Sequence, residues 1–178
     1  MVIEEYREIT KEEAKEWTCV LFNAARLIKN PTKKPSNVFS FCVKATIFIA
    51  VAILFFGFFL LSGDRDVYTL TGAIVTCVSV LFLIIFAVRV NQVYQTFLKR
   101  GKEHVIMTLD EKGIDYEVVD NQRFQTAWSN VSFIRVFQQA IYIFPKDVTG
   151  VIYGVKKGRL EELKTFLKES QIDLQIFE

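Results

Sequence analysis

The sequence predicts a membrane protein of α+β class: a two-helix transmembrane hairpin joined to a small antiparallel β domain that a C-terminal helix closes. Three observations carry that prediction. Two uncharged, intensely apolar stretches, Ala45–Leu61 and Val67–Val88, lie back to back across Gly63-Asp64-Arg65-Asp66. From His104 onward the chain changes to short runs rich in branched and aromatic residues, separated by turn residues. Leu160, Leu163, Phe166 and Leu167 then mark one face of a last helix.

A hydrocarbon core about 30 Å thick takes roughly 20 helical residues, and each apolar stretch approaches that length with its flanks. Lys44 can extend its stem to the interface, so the first span is expected over 38–62 and the second over 67–88. The second helix should run on to about residue 100 and stop at Gly101. The loop, 63–66, is short enough to make the two helices antiparallel. Thr46, Ala50, Ile53 and Gly57 form one stripe; Thr69, Gly72, Thr76 and Ser79 form another. Pairing about the loop would set Gly57 against Gly72, Ile53 against Thr76 and Ala50 against Ser79. Small residues permit close helix approach in lipid, so these stripes are expected to form the seam, with homo-oligomerisation as the rival use. Lys29, Lys33, Lys34 and Lys44 precede the first span, and Arg89, Lys99, Arg100 and Lys102 follow the second. The loop carries Arg65 alone, between two Asp. Positive residues stay inside, which places both ends in the cytoplasm and the chain in a bacterial inner membrane. Neither span holds an acid, a base or a His, against the needs of a proton relay or ion pathway.

The N-terminal region, 1–37, begins polar and acidic, without the basic and apolar regions of a cleavable signal peptide. Thr10-Lys-Glu-Glu13 is a capping box opening a helix to about Lys29. Ala14, Trp17, Leu21, Ala24 or Ala25, and Ile28 share its face. The helix is expected to pack on the C-terminal domain; the alternative, an interfacial helix with Trp17 at the headgroups, sits poorly with its acidic face. Pro31 and Pro35 then make a basic linker.

In 102–178, strands are expected at His104–Leu109, Gly113–Val119, Arg123–Trp128, Ser132–Phe137, Ile141–Phe144 and Val148–Val155, as an antiparallel meander. Turns fall at Asp110–Gly113, Asp120–Asn121, Ser129–Asn130, Gln138–Gln139 and Pro145–Asp147. After the closing helix, Asp173–Phe177 could add an edge strand. This order is that of a pleckstrin-homology-like (PH-like) half barrel. Leu109-Asp-Glu-Lys-Gly-Ile114, Thr126-Ala-Trp128 with Val131, and Ala140-Ile-Tyr-Ile-Phe144, together with the layout, resemble the YcxB-like family of bacterial membrane proteins. The chain departs from that pattern at Asn130, where the family tends to carry an acid, and at Gly154-Val155-Lys156-Lys157, where a Pro-Lys pair is expected. The resemblance implies the architecture and no established activity.

Chemistry is sparsely marked. The net charge of +2 sets up no global field for nucleic acid. Cys19, Cys42 and Cys77 lack metal or disulfide spacing, and His104, the single histidine, has no second ligand at metal spacing. Asp110, Glu111, Asp115, Glu117 and Asp120 read as turn and outward-facing acids. Ser129 and Ser132 lack a nearby histidine, and Trp128 reads as a core anchor beneath a turn. No catalytic residue, metal or cofactor is therefore expected. Lys146, Lys156, Lys157 and Arg159 form a basic group that could meet inner-leaflet lipids. Phe137, Tyr142 and Tyr153 are the candidate aromatic contacts for a protein partner. The leading expectation is a non-enzymatic protein presenting a binding or regulatory domain to the cytoplasm. A different class, an immunity protein against a secreted or membrane-active toxin, would use the outward loop 63–66.

Overall fold

The computed structural model describes residues 1–63, 66–99, 102–119 and 122–178. Asp64 and Arg65 of the short loop, Arg100 with the helix stop expected at Gly101, and the turn expected at Asp120–Asn121 lie outside the described residues. In chain order the elements are β1 (Val2–Glu8), α1 (Lys11–Phe22), α2 (Ala24–Lys29), α3 (Val38–Leu61), α4 (Val67–Lys99), β2 (Lys102–Leu109), β3 (Gly113–Val118), β4 (Gln122–Ala127), β5 (Val131–Val136), β6 (Ala140–Pro145), β7 (Tyr153–Lys156), α5 (Leu160–Glu169) and β8 (Ile176–Phe177). They divide into two units: Met1–Pro35 with Thr96–Glu178, and Ser36–Gln95.

The first unit begins with a strand that the sequence did not announce. β1 pairs antiparallel with β2, from Val2 opposite Thr108 to Glu8 opposite Lys102, and Leu109 N–H extends the ladder to the Met1 carbonyl at 2.8 Å. One sheet runs β1-β2-β3-β4 and the other β7-β6-β5-β8. Between them lies a core of Ile3, Met107, Leu109, Ile114, Ile134, Ile141, Ile143 and Val155, closed by Leu163 and Leu167 of α5. β8 pairs parallel with β5, Ile134 opposite Ile176, so the expected tail strand exists but departs from an all-antiparallel order. The run expected at Val148–Val155 is strand only from Tyr153 onward.

Local chemistry explains the boundaries. Thr10 Oγ1 accepts from Glu13 N–H at 3.1 Å and starts α1. Asn23, whose side-chain amide donates to Cys19 O at 2.8 Å, separates α1 from α2 and breaks the single helix expected to Lys29. Asp110 Oδ1 accepts from Lys112 and Gly113 N–H at 2.8 and 2.9 Å, an Asx turn linking β2 to β3. A Cβ on Gly113 would stand 2.2 Å from Thr126 O, so the entry to β3 admits only glycine without movement.

The second unit consists of α3 and α4 up to Gln95, two helices long and apolar enough to cross a membrane. Asn37 Oδ1 accepts from Phe39 and Ser40 N–H to open α3, and Asp66 Oδ1 accepts from Thr69 N–H at 2.7 Å to open α4. At 1.5 Å per residue the helices measure roughly 36 and 50 Å. On α4, Thr69 and Thr76 are buried while Gly72 and Ser79 are half-buried. On α3 the half-buried row is Ala45, Ile49, Ala52 and Phe56, whereas of the expected stripe Thr46, Ala50 and Ile53 are exposed and Gly57 is half-buried. The expected α3 stripe is thus one residue out of phase. Gly57 would find nothing within 4 Å of a Cβ, while Gly72 receives the Phe56 ring, 2.2 Å from where its Cβ would stand. A ring against a glycine replaces the expected glycine pair.

Leu163 is fully buried in the core of the first unit. Leu163→Ala should lower the unfolding free energy of that unit by about 2–5 kcal/mol, read from denaturant titration of the detergent-solubilised protein.

Candidate functional site

Every residue of β6 is buried, because both of its faces are covered. Ile141 and Ile143 point into the core. Tyr142 and Phe144 point the other way, with Phe144 stacked on Phe133 of β5 at 4.6 Å. Trp17 of α1 sits on this outer face. Its ring meets Tyr142 edge-on at 4.7 Å and stacks with Phe97 at 5.4 Å. Gly154, opposite Tyr142 on β7, makes the seat: a Cβ there would lie 2.1 Å from Trp17. Gly154 is therefore the residue that lets α1 dock, and Trp17 is covered by protein.

Two polar contacts pin the same N-terminal arm. Glu16 reaches the turn between β5 and β6, where its carboxylate accepts from the N–H groups of Gln138 (2.9 Å), Gln139 (3.1 Å) and Ala140 (3.1 Å) and from Tyr142 Oη at 3.2 Å. Successive N–H groups turned to one side form an anion nest, and Glu16 fills it. Arg135 donates to the carbonyls of Pro31 and Lys33, the latter at 2.6 Å, and lies 4.7 Å above the Phe137 ring. Burial draws its pKa below the ordinary arginine value. None of this was legible as a site in the sequence; the only available signal was Glu16, an acid in the middle of α1 beside Trp17.

The expected contact residues are dispersed by these arrangements. Tyr142 and Tyr153 are core residues rather than surface contacts, because α1 covers one and the opposite sheet receives the other. Tyr153 Oη lies 2.7 Å from Thr126 Oγ1, and burial raises its pKa. Phe137 is half-buried, edge-on to Tyr142. The basic group is split. β7 pairs Lys156 with Ala140, at the start of β6, whereas Lys146 follows its far end, roughly 20 Å along the strand at about 3.3 Å per residue. Arg159 is paired with Glu162 at 2.7 Å, and Lys156 Nζ donates to Tyr6 O at 3.4 Å. Lys157 opens the short turn before α5. Trp128 anchors the β2–β3 turn, its indole N–H donating to Asp110 O at 2.7 Å. His104 stacks on its cross-strand partner Tyr6 at 4.3 Å and meets Glu4 at 2.7 Å.

Beside the arm lies a groove of about 390 Å³, lined by Trp17, Leu21 and Ala24 from the arm, Phe97 of α4, Tyr116, Val118 and Phe124 of β3 and β4, and Val148, Val151 and Ile152 before β7. Its walls are mostly apolar, with Gln122 as the amide side chain among them. That is the size and lining of a recognition site for an apolar group.

No protein-family model and no curated protein sequence matches the chain. Among solved structures, it is similar to a chain of the Spt16D–Pob3N heterodimer at 21% identity and a TM-score of 0.32, over 42% of this chain and 46% of that one. The chain thus spans less than half of that protein's length, and an overlap so small supports no statement about fold or function.

Gly154→Val should expel Trp17, shift the tryptophan emission to the red and destabilise the unit by about 1–3 kcal/mol. In a Trp17→Ala background the same change should do much less, because the clash is gone. Arg123, bonded across β3 and β4 to Asp115, lowers that carboxyl's pKa. A carboxyl lowered on folding stabilises the fold above its unfolded pKa and loses that contribution as pH falls through the folded value. Arg123→Ala should therefore flatten the fall in Tm below about pH 4, measured by thermal scans across acid pH.

Proposed function

We propose that this chain is a non-enzymatic, two-span bacterial inner-membrane protein of YcxB-like type, whose PH-like unit binds a protein partner in the cytoplasm. The observation that carries the reading is the uncovered apolar surface of α3 and α4. Phe48, Leu54, Leu61 and Phe82 are 76%, 75%, 91% and 68% exposed, along helices of membrane-spanning length. Water-facing surfaces rarely tolerate so large an apolar area; a bilayer is the solvent that suits it.

The first unit supports the topology. β1 precedes both apolar helices and β2 follows them, yet the two strands pair residue for residue. Whatever α3 and α4 cross, the chain must return to the side from which it left. The basic flanks then favour the cytoplasm. Two four-stranded sheets enclosing one core beneath a C-terminal helix support the PH-like assignment, and the open apolar groove supports a binding role.

Cysteine reporters test the topology. In a variant with Cys19, Cys42 and Cys77 replaced by Ser, a Cys at Ser62 should react with a membrane-impermeant maleimide on spheroplasts, and one at Ser36 only after lysis. Labelling of both or neither before lysis, or recovery of the protein from the detergent-free soluble fraction, would refute the reading.

A further inference from the structure

We infer that the free edge of β4, together with the apolar groove beside it, is the docking site for an extended segment of a protein partner, which adds to the first sheet as a fifth strand. The inference rests on the binding role proposed above and assigns it a place and a ligand chemistry.

β4 ends its sheet, and among the described residues no strand pairs with its far side. The register shows which groups are free there. Trp128 N–H bonds Lys112 O at 3.3 Å, and Gly113 lies opposite Ala127. In an antiparallel ladder, hydrogen-bonded pairs alternate. Gln122, Phe124 and Thr126 therefore bond β3, while Arg123, Gln125 and Ala127 turn N–H and C=O to the open edge. The next ladder agrees: Val119 N–H bonds His104 O at 3.0 Å, which commits Asp115 and Glu117 to β2 and leaves Ile114, Tyr116 and Val118 for β4.

Edges are normally guarded by brevity, proline, lysine or a bulge. The edge strands of the second sheet conform: β8 has two residues, and β7 has four and ends in Lys156. β4 has six residues, in regular register, with neither Pro nor Lys. Its one charged side chain, Arg123, is folded back on Asp115 of the neighbouring strand.

The groove lies on the side of this edge that a partner would use. Gln122 and Phe124 of β4 line it, so a strand added alongside would direct its alternate side chains onto the same face. Backbone bonds would supply affinity, and the groove would select apolar side chains at every second position, the mode of β-strand addition. The ligand is thus an extended segment alternating branched or aromatic residues with polar ones.

The test uses the full chain in lipid nanodiscs and a displayed library of random heptapeptides. Selected peptides should carry apolar residues at alternate positions, and adding a synthetic one should slow amide exchange at Arg123, Gln125 and Ala127. Gln125→Pro removes an outward N–H that β3 does not use, a position where edge strands accept proline. It should weaken binding more than tenfold, while Gln125→Thr leaves it within about twofold. Ala24→Phe, which fills the groove, should weaken it without touching the edge. Equal binding to Gln125→Pro, or slowed exchange at another edge, would overturn this assignment and leave the binding role standing. Failure to select any peptide would overturn both.

Discussion

The fold depends on the cover that the N-terminal arm gives to the outer face of the second sheet. Phe133, Tyr142 and Phe144 are large, fully buried side chains on the side of β5 and β6 turned away from the main core. Leaving such side chains in water would forgo about 1.5–3 kcal/mol each. Trp17 on Gly154 covers Tyr142, Phe177 meets Phe133 edge-on, and Glu16 satisfies three N–H groups of a turn that would otherwise need water. Arg135 then ties down the linker that follows. The arm is consequently a structural layer of the β unit, and the apolar helices are an insertion into that unit.

The insertion changes the meaning of the groove as well. Its walls come from before α3, from the end of α4 and from β3, β4 and the loop before β7. The groove is complete only when segments from both sides of the apolar helices are in place. Any displacement of the arm, through Trp17 or Ala24, would reshape the groove without altering β4 itself.

Most strands were legible because their branched and aromatic residues alternate between clear turn signals, as in β3 and β5. β1 escaped for a definite reason. Its apolar Val2 and Tyr6 face solvent while Glu5 is buried beside Ile3, so the two-residue period that marks a core strand is broken. The row on α3 was misplaced because a helix apolar all round carries no hydropathic mark of its inner face. Small residues are then a poor guide when a Phe ring fills the space opposite a glycine. Tyr142 and Tyr153 looked like surface contacts because nothing local in the sequence says that Trp17 will cover the one or that Tyr116 and Thr126 of the first sheet will receive the other. The basic residues looked like one patch because they are near in sequence, whereas the β6–β7 register sends Lys146 to the other end. The groove was the least legible feature, since it is built from four distant stretches of chain.

The residue-by-residue pairing of β1 with β2 also imposes an order on biosynthesis. β1 is made before α3 and α4, but its partner strand arrives only after both apolar helices have been made. The opening strand must wait, unpaired, through the whole of that interval, and closing so long a loop is slow. Completion of the first sheet would thus occur only in chains whose apolar helices have already been synthesised. Molecules stalled midway would keep an unpaired strand, the kind of exposed edge that makes incompletely folded chains prone to aggregate.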